Sequence, residues 1–164
     1  MQSTRHLCLI RGLVIVLPAA FLGACGTGDG KTPIRATPSV GVLVNAPVEG
    51  AEYSTVTQSG LTTADGEFRY YLGEEVTFSV GGIDLGRLVA APLITPVEVT
   101  GSPDPGTAAA PNAATRVMRF LQSVDTDRNP ANGITISDST RTMAASLSID
   151  FATATDAELT TIIG

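Results

Sequence analysis

The sequence between residues 40 and 89 consists of short apolar stretches, each ended by turn-forming residues, and this pattern restricts the chain to a β-rich fold. Residues 67–70 and 76–80 alternate apolar and polar side chains with a period of two, as half-buried strands do. Asp65-Gly66 and Gly81-Gly82 supply the residues that tight hairpin turns require. No helical period interrupts these stretches, so we predict a small antiparallel β-sandwich over residues 40–100.

The predicted strands lie close together along the chain. They occupy residues 40–44, 48–56, 61–63, 67–70, 76–80 and 83–89. Turns are predicted between them at residues 45–47, 64–66, 72–74 and 81–82. Aromatic residues make up 5% of the chain and Trp is absent, so Val, Ile, Leu and Ala must fill most of the core.

The C-terminal third predicts helical segments after a loop. Residues 101–111 form the loop, and residues 112–164 hold a helix and short C-terminal elements, including a strand at 134–137. Asn112 is a suitable N-cap for a helix over residues 113–124, whose apolar face comprises Val117, Phe120, Leu121 and Val124. We interpret this face as a packing surface, with a partner-binding helix as the alternative. The expected fold class is mainly β: a small antiparallel sandwich followed by one or two short helices, the last capped by Thr155 or Asp156.

The first 24 residues have the arrangement of an export signal. Arg5, His6 and Arg11 provide a basic start, and residues 12–24 are apolar or small. This run of 13 residues is too short for a helix that crosses a bilayer, which needs about 20 residues. We predict a cleaved signal peptide over residues 1–24. The alternatives are a buried core helix and an ordinary cleaved signal without lipid attachment.

Leu22-Gly23-Ala24-Cys25 follows the apolar run directly. These four residues resemble the bacterial lipobox, and the resemblance implies removal of residues 1–24 and attachment of acyl chains to Cys25. Several acyl chains make a lasting membrane anchor, whereas one chain holds only marginally. The resemblance also implies an outer-membrane destination, since Gly26 rather than Asp follows the cysteine. Residues 25–39 are then the lipidated cysteine and a flexible tether rich in Gly, Thr and Pro, and the membrane is the expected partner.

A second resemblance lies within the β-rich part. Its pattern begins with Gly41-x-Leu43 and continues with Pro47-Val48-x-Gly50-Ala51-x-Tyr53 and Thr62-Thr63-x-Asp65-Gly66-x-Phe68-x-Tyr70. This pattern is similar to that of carboxypeptidase regulatory-like and related transthyretin-type sandwich modules. The resemblance implies a fold and no chemistry, since such modules serve as spacers and binding domains on many exported proteins.

Charge and the positions of His and Cys exclude several classes of function. Without Arg5 and Arg11 the chain carries eight basic residues against sixteen acidic ones, the wrong sign for nucleic-acid binding. His6 is the only histidine, and Cys8 and Cys25 are the only cysteines. The part after Cys25 therefore has no imidazole and no thiol for a nucleophilic triad or a zinc site. We predict no catalytic residue and no independent enzyme activity.

One segment suggests a metal site. Asp125, Asp127 and Asn129 place oxygen donors at alternating positions, as at the start of a calcium loop. An EF-hand counted from Asp125 requires Gly at its sixth place and Glu at its twelfth, where this chain has Pro130 and Ile136. The preferred interpretation is a helix end followed by Asx turns. Weak calcium binding is the alternative, and no other cofactor is expected.

These patterns together predict a membrane-anchored, exported lipoprotein of the cell envelope with a non-catalytic structural or binding β-domain. One alternative is the N-terminal anchoring module of a larger surface hydrolase, esterase or adhesin, of which this chain would be a truncated piece. Another is a calcium-dependent adhesion module. No residue pattern identifies a protein or glycan partner.

Overall fold

The computed structural model describes residues 37–102 and 112–163, which contain nine strands and four helices. In chain order the strands are β1 (Ser39–Leu43), β2 (Val48–Glu49), β3 (Glu52–Ser54), β4 (Ser59–Leu61), β5 (Glu67–Tyr70), β6 (Glu75–Val80), β7 (Ile83–Val89), β8 (Leu93–Ile94) and β9 (Ile134–Thr135). The helices are α1 (Pro96–Thr100), α2 (Ala113–Ser123), α3 (Asp138–Ala144) and α4 (Asp156–Ile163). The predicted fold class, mainly β with short helices, is confirmed.

Three sheets make up the β-rich part. The largest has the order β4-β3-β6-β7 with antiparallel neighbours, and the second has the order β5-β1-β8. The third pairs β2 with β9. β1 pairs with β5 in the antiparallel sense, but β1 with β8 and β2 with β9 are short parallel pairs. Parallel pairing requires a long connection between the strands, and both of these pairs join segments that are distant in sequence.

Aromatic side chains join the two larger sheets. The rings of Phe68 on β5 and Phe78 on β6 meet edge to face, with centroids 5.1 Å apart. Phe68 also lies 5.8 Å from Tyr53 on β3 and stacks on Tyr70 at 5.5 Å. All four side chains are buried, so Phe68 is at the centre of the sandwich core, as the sequence pattern predicts.

A turn is present at Asp65-Gly66, as predicted, but it is not a hairpin, because it joins β4 to β5 and these strands belong to different sheets. Gly66 has a φ of +75°, and a Cβ at this position would lie 2.6 Å from the carbonyl oxygen of Leu43. Glycine alone suits both the conformation and the space. After this turn β5 runs antiparallel to β1, with Tyr70 opposite Ser39.

The predicted helix after Asn112 is confirmed as α2. The side-chain oxygen of Asn112 accepts a hydrogen bond from the backbone N–H of Thr115 at 3.0 Å, as an N-cap does. Val117, Phe120 and Leu121 are buried in the same core cluster as the sandwich residues. The apolar face of α2 is therefore a packing surface.

The strand predicted over residues 48–56 is divided into β2 and β3. Gly50 separates them, with a φ of +79°, and a Cβ there would collide with the carbonyl oxygen of Ile136. Gly50 and Ala51 are both buried, so the alternation of inward and outward side chains slips at this point. Because the alternation of apolar and polar residues over 48–56 is irregular, the sequence pattern does not predict that the strand is interrupted at Gly50.

The sequence pattern also does not predict α1, α3 or β8. α1 begins after Thr95, whose backbone N–H donates to the carboxylate of Glu98 at 2.8 Å, and Pro96 occupies its first position. α3 begins after Ser137, whose hydroxyl accepts the backbone N–H of Thr140 at 3.1 Å. Both helices have good N-terminal signals, but they are too short to show a helical period.

Candidate functional site

The predicted acylation site is not within the described residues. Leu22, Gly23, Ala24 and Cys25 belong to the segment 1–36, which lies outside them, as do residues 103–111 of the predicted loop. Acylation of Cys25 and removal of residues 1–24 remain predictions. The other site suggested by the sequence, around Asp125, lies within the described part.

Asp125 stands at the start of the loop that joins α2 to β9. The residue is only 4% exposed. One carboxylate oxygen accepts the backbone N–H of Asn129 and the other accepts that of Thr135, both at 2.9 Å. Asp125 therefore ties the beginning of the loop to the strand that ends it.

Asp127 lies on the exposed side of the same loop. One of its oxygens accepts the backbone N–H of Asn129 at 2.9 Å, and the other accepts the side-chain amide of Asn132 at 2.8 Å. The pKa of Asp127 is lowered below its ordinary value, and the hydrogen bond from Asn132 has the largest effect. The bond from Asn129 has the next largest effect, and desolvation opposes both. The ionised carboxylate is therefore the form that stabilises the loop.

The loop uses its carboxylates as hydrogen-bond acceptors. All four oxygens of Asp125 and Asp127 receive N–H groups of the loop or of β9, and Asn129 takes part through its backbone. The bond from the N–H of Asn129 to Asp127, two residues earlier, is an Asx turn as in the preferred interpretation, and the other three bonds reach further along the chain. Calcium takes about six to eight oxygen ligands, and within residues 37–102 and 112–163 no three His, Cys, Asp or Glu side chains are grouped to hold a metal ion. Calcium binding by this loop remains untested.

Glu74 and Glu75, the adjacent pair of carboxylates, have separate partners. Glu74 accepts the hydroxyl of Thr55 at 3.0 Å and the backbone N–H of Tyr71 at 2.8 Å. The bond from Tyr71 is the main reason that the pKa of Glu74 is lowered. Glu75 forms an ion pair with Arg87. Both carboxylates thus take part in contacts that hold the fold together.

Arg141 on α3 has a structural role that the sequence does not reveal. Its side chain is largely buried, and one guanidinium nitrogen donates to the carbonyl oxygens of Gly50 and Ile136, each at 2.8 Å. The guanidinium also forms an ion pair with Asp138. A planar group with five donors suits such a position between elements. Backbone carbonyl acceptors have no sequence signature, so no pattern could have indicated this contact.

Two arginines of α2 hold the C-terminal segment in a similar way. Arg116 donates to the carbonyl oxygens of Phe151 at 3.0 Å and Ala152 at 3.3 Å. Arg119 forms an ion pair with Asp156 of α4 at 2.9 Å. These contacts attach residues 151–156 to α2 and leave the two guanidinium groups engaged in the fold.

Comparisons with protein families, with curated proteins and with solved structures find no match for this chain. None of the helices in the described part is both long enough and apolar enough to cross a membrane. The longest of them, α2, has 11 residues.

Proposed function

We propose that this chain is an exported bacterial lipoprotein of the cell envelope, anchored to a membrane, with the outer membrane as its destination, through acyl chains on Cys25. Its folded part is a non-catalytic structural or binding module. The observation that carries the proposal is Leu22-Gly23-Ala24-Cys25 placed directly after a basic start and an apolar run of 13 residues.

The physical argument for the anchor is the amount of hydrocarbon that it buries. Each buried methylene contributes about 0.8 kcal/mol, so several acyl chains on one cysteine hold a protein at a bilayer where a single chain would exchange. The Gly-, Thr- and Pro-rich residues 26–38 separate the anchor from β1. A segment of this composition suits a flexible spacer between lipid and domain.

The side chains of the described part support a non-catalytic role. The sequence after Cys25 offers no imidazole or thiol, so acid–base and nucleophilic chemistry would depend on carboxylates and hydroxyls. The carboxylates that come nearest to such a role, those of Glu74, Asp125 and Asp127, accept hydrogen bonds that hold turns together. A binding or spacer function is consistent with this use of polar groups.

The positions of the pattern residues support the proposed relation to carboxypeptidase regulatory-like sandwich modules. Ala51 is buried, Gly66 takes a positive φ in the turn before β5, and Phe68 fills the core between the sheets. These are the roles that the pattern assigns to small, turn-forming and aromatic residues.

Metabolic labelling with a fatty-acid analogue tests the anchor. The native chain, Cys25→Ser and Cys8→Ser are each expressed in full in a bacterium that processes lipoproteins. We expect the native chain and Cys8→Ser to incorporate the analogue and Cys25→Ser to incorporate none, because Cys25 is the sole thiol after the signal. Cys8→Ser is the matched control, since it removes the other cysteine of the chain. Equal incorporation into the native chain and Cys25→Ser would contradict the proposal.

A further inference from the structure

The chain enters the sandwich beside a turn. β1 begins at Ser39, which lies opposite Tyr70 at the end of β5. Residues 71–74 follow as the turn into β6. This turn therefore stands at the end of the sandwich to which the N-terminal segment is joined, and we call that end the tether end.

A second turn reaches the tether end. Residues 55–58 connect β3 with β4, and the hydroxyl of Thr55 donates to the carboxylate of Glu74 at 3.0 Å. The same carboxylate oxygen accepts the backbone N–H of Tyr71 at 2.8 Å. Glu74 thus fixes the two turns to each other.

Each of these turns carries one highly exposed aliphatic side chain. Val56 is 89% exposed and Leu72 is 84% exposed, more than any other large apolar residue in the described part. Val40 at the start of β1 and Val89 at the end of β7 are exposed at the same end. Single exposed apolar residues are ordinary. The described part has eight exposed large apolar residues, and four of them lie at this one end.

The tether end lacks the acidic character of the rest of the chain. Residues 55–58, 70–73 and 88–92 contain no charged side chain, although the sequence has 16 acidic and 10 basic residues. Glu74 lies between these segments as an ionised carboxylate whose hydrogen bonds come from the two turns. Arg69, exposed opposite Val40, supplies a positive charge at the same end, and Glu75 is neutralised by its ion pair with Arg87. A surface without excess negative charge can approach anionic headgroups, which an acidic surface cannot do without repulsion.

We propose that Val56 and Leu72 insert into the bilayer interface, so that the tether end of the sandwich faces the membrane. Side chains at the tips of turns suit insertion among headgroups, whereas a protein partner requires a broader complementary surface. The inference rests on the proposed anchor at Cys25. The 14 residues from 25 to 38 would keep the domain near the bilayer, since a flexible segment of that length has a root-mean-square span of about 20 Å.

The test uses the lipidated full chain in vesicles of phosphatidylethanolamine and phosphatidylglycerol. Leu72→Cys carries an environment-sensitive fluorophore. Asp65→Cys is the matched control, because Asp65 is exposed on the turn at the opposite end of β5. Nitroxide lipids report contact of the label with the bilayer, and aqueous iodide reports contact with water.

We expect nitroxide lipids to quench the label at Leu72→Cys and iodide to quench the label at Asp65→Cys. Adding Val56→Ser to the Leu72→Cys chain should lower the ratio of inserted to water-exposed label about fivefold. Adding Met143→Ser instead should leave that ratio unchanged, because Met143 is 70% exposed on α3. This helix lies against Gly81, at the end of β6 opposite the two turns.

Iodide quenching at both label positions would overturn the proposal. The proposal would also be overturned if the Leu72→Cys label were protected from iodide without vesicles and the protection increased with protein concentration. That result would show that Val56 and Leu72 form a contact between two copies of the chain. The number of fluorophores separates this inference from the proposed function. A second fluorophore on Cys25 would show that its thiol is free, which would contradict the proposed anchor. A chain that carries one fluorophore, with that fluorophore quenched by iodide, would contradict the insertion alone.

Discussion

Asp125 shows how a single residue fixes the path of the chain after α2. Among the described residues it is the one buried Asp or Glu, and both oxygens of its carboxylate accept backbone N–H groups. A buried carboxylate without such partners would be strongly destabilising. If the carboxylate were removed, the N–H of Thr135 would lose its acceptor, and the N–H of Asn129 would keep only Asp127.

Asp125→Ala should therefore lower the free energy of unfolding by about 3 kcal/mol, because the backbone N–H of Thr135 is left without its charged acceptor and that of Asn129 loses one of two. Asp127→Ala, which affects the exposed side of the same loop, should lower it by less. Urea denaturation of the two variants and the native chain measures both changes. Equal and small effects of the two substitutions would show that Asp125 does not organise the loop.

The same variants distinguish the Asx turns from the calcium alternative. If the carboxylates serve the loop, millimolar calcium should leave the melting temperature of the native chain unchanged. A rise with calcium that Asp125→Ala and Asp127→Ala both abolish would establish a calcium site and would contradict our preferred interpretation.

The sequence reveals some of these residue roles and conceals others. The spacing of Asp125, Asp127 and Asn129 indicates Asx turns because such turns are local in sequence. The contacts of Arg116 and Arg141 are different, since their acceptors are carbonyl groups brought close by the tertiary fold. Any residue type supplies a carbonyl group, so these contacts cannot be predicted without the structure.

Elements with a regular pattern and clear ends are the ones that the sequence predicts well. β5 and β7 have the predicted bounds, and α2 ends one residue before the predicted end. In these elements the side-chain period and the flanking Gly or Asn residues indicate the same ends. β8 has two residues, too few to show a period, and β9 is only the first half of the strand predicted over residues 134–137. Both form where β1 and β2 provide partners.

Helix α2 is expected to stabilise the sandwich rather than to fold apart from it. The ring of Phe120 is buried and lies 5.6 Å from that of Phe151. Phe120→Ala should lower the free energy of unfolding by about 3 to 5 kcal/mol. The unfolding midpoint measured by the helical circular dichroism signal and the midpoint measured by the fluorescence of the buried tyrosines should then shift by the same amount.

Met143→Ala is the control for this substitution, because it removes an exposed side chain from another helix. It should change the stability little. A Phe120→Ala chain that loses its helical signal while tyrosine fluorescence keeps the native midpoint would mean that residues 112–163 form a separate folding unit.

At the scale of the whole molecule, one core includes residues from both described segments. Phe68 and Phe78 of the sheets belong to the same cluster as Phe120 and Leu159 of the helices. The sequence predicts the apolar faces of these elements but not their association, since long-range pairs such as Val48 with Ile134 have no local signal. In the account proposed here, this single folded body is held at a membrane through one N-terminal cysteine.

The most direct test of that account is mass spectrometry of the N-terminal peptide of the protein taken from bacterial membranes. Trypsin should release residues 25–31, from Cys25 to Lys31, with acyl groups on the cysteine and no preceding residues. A peptide that still contains residues 1–24, or a Cys25 with a free thiol, would contradict the account.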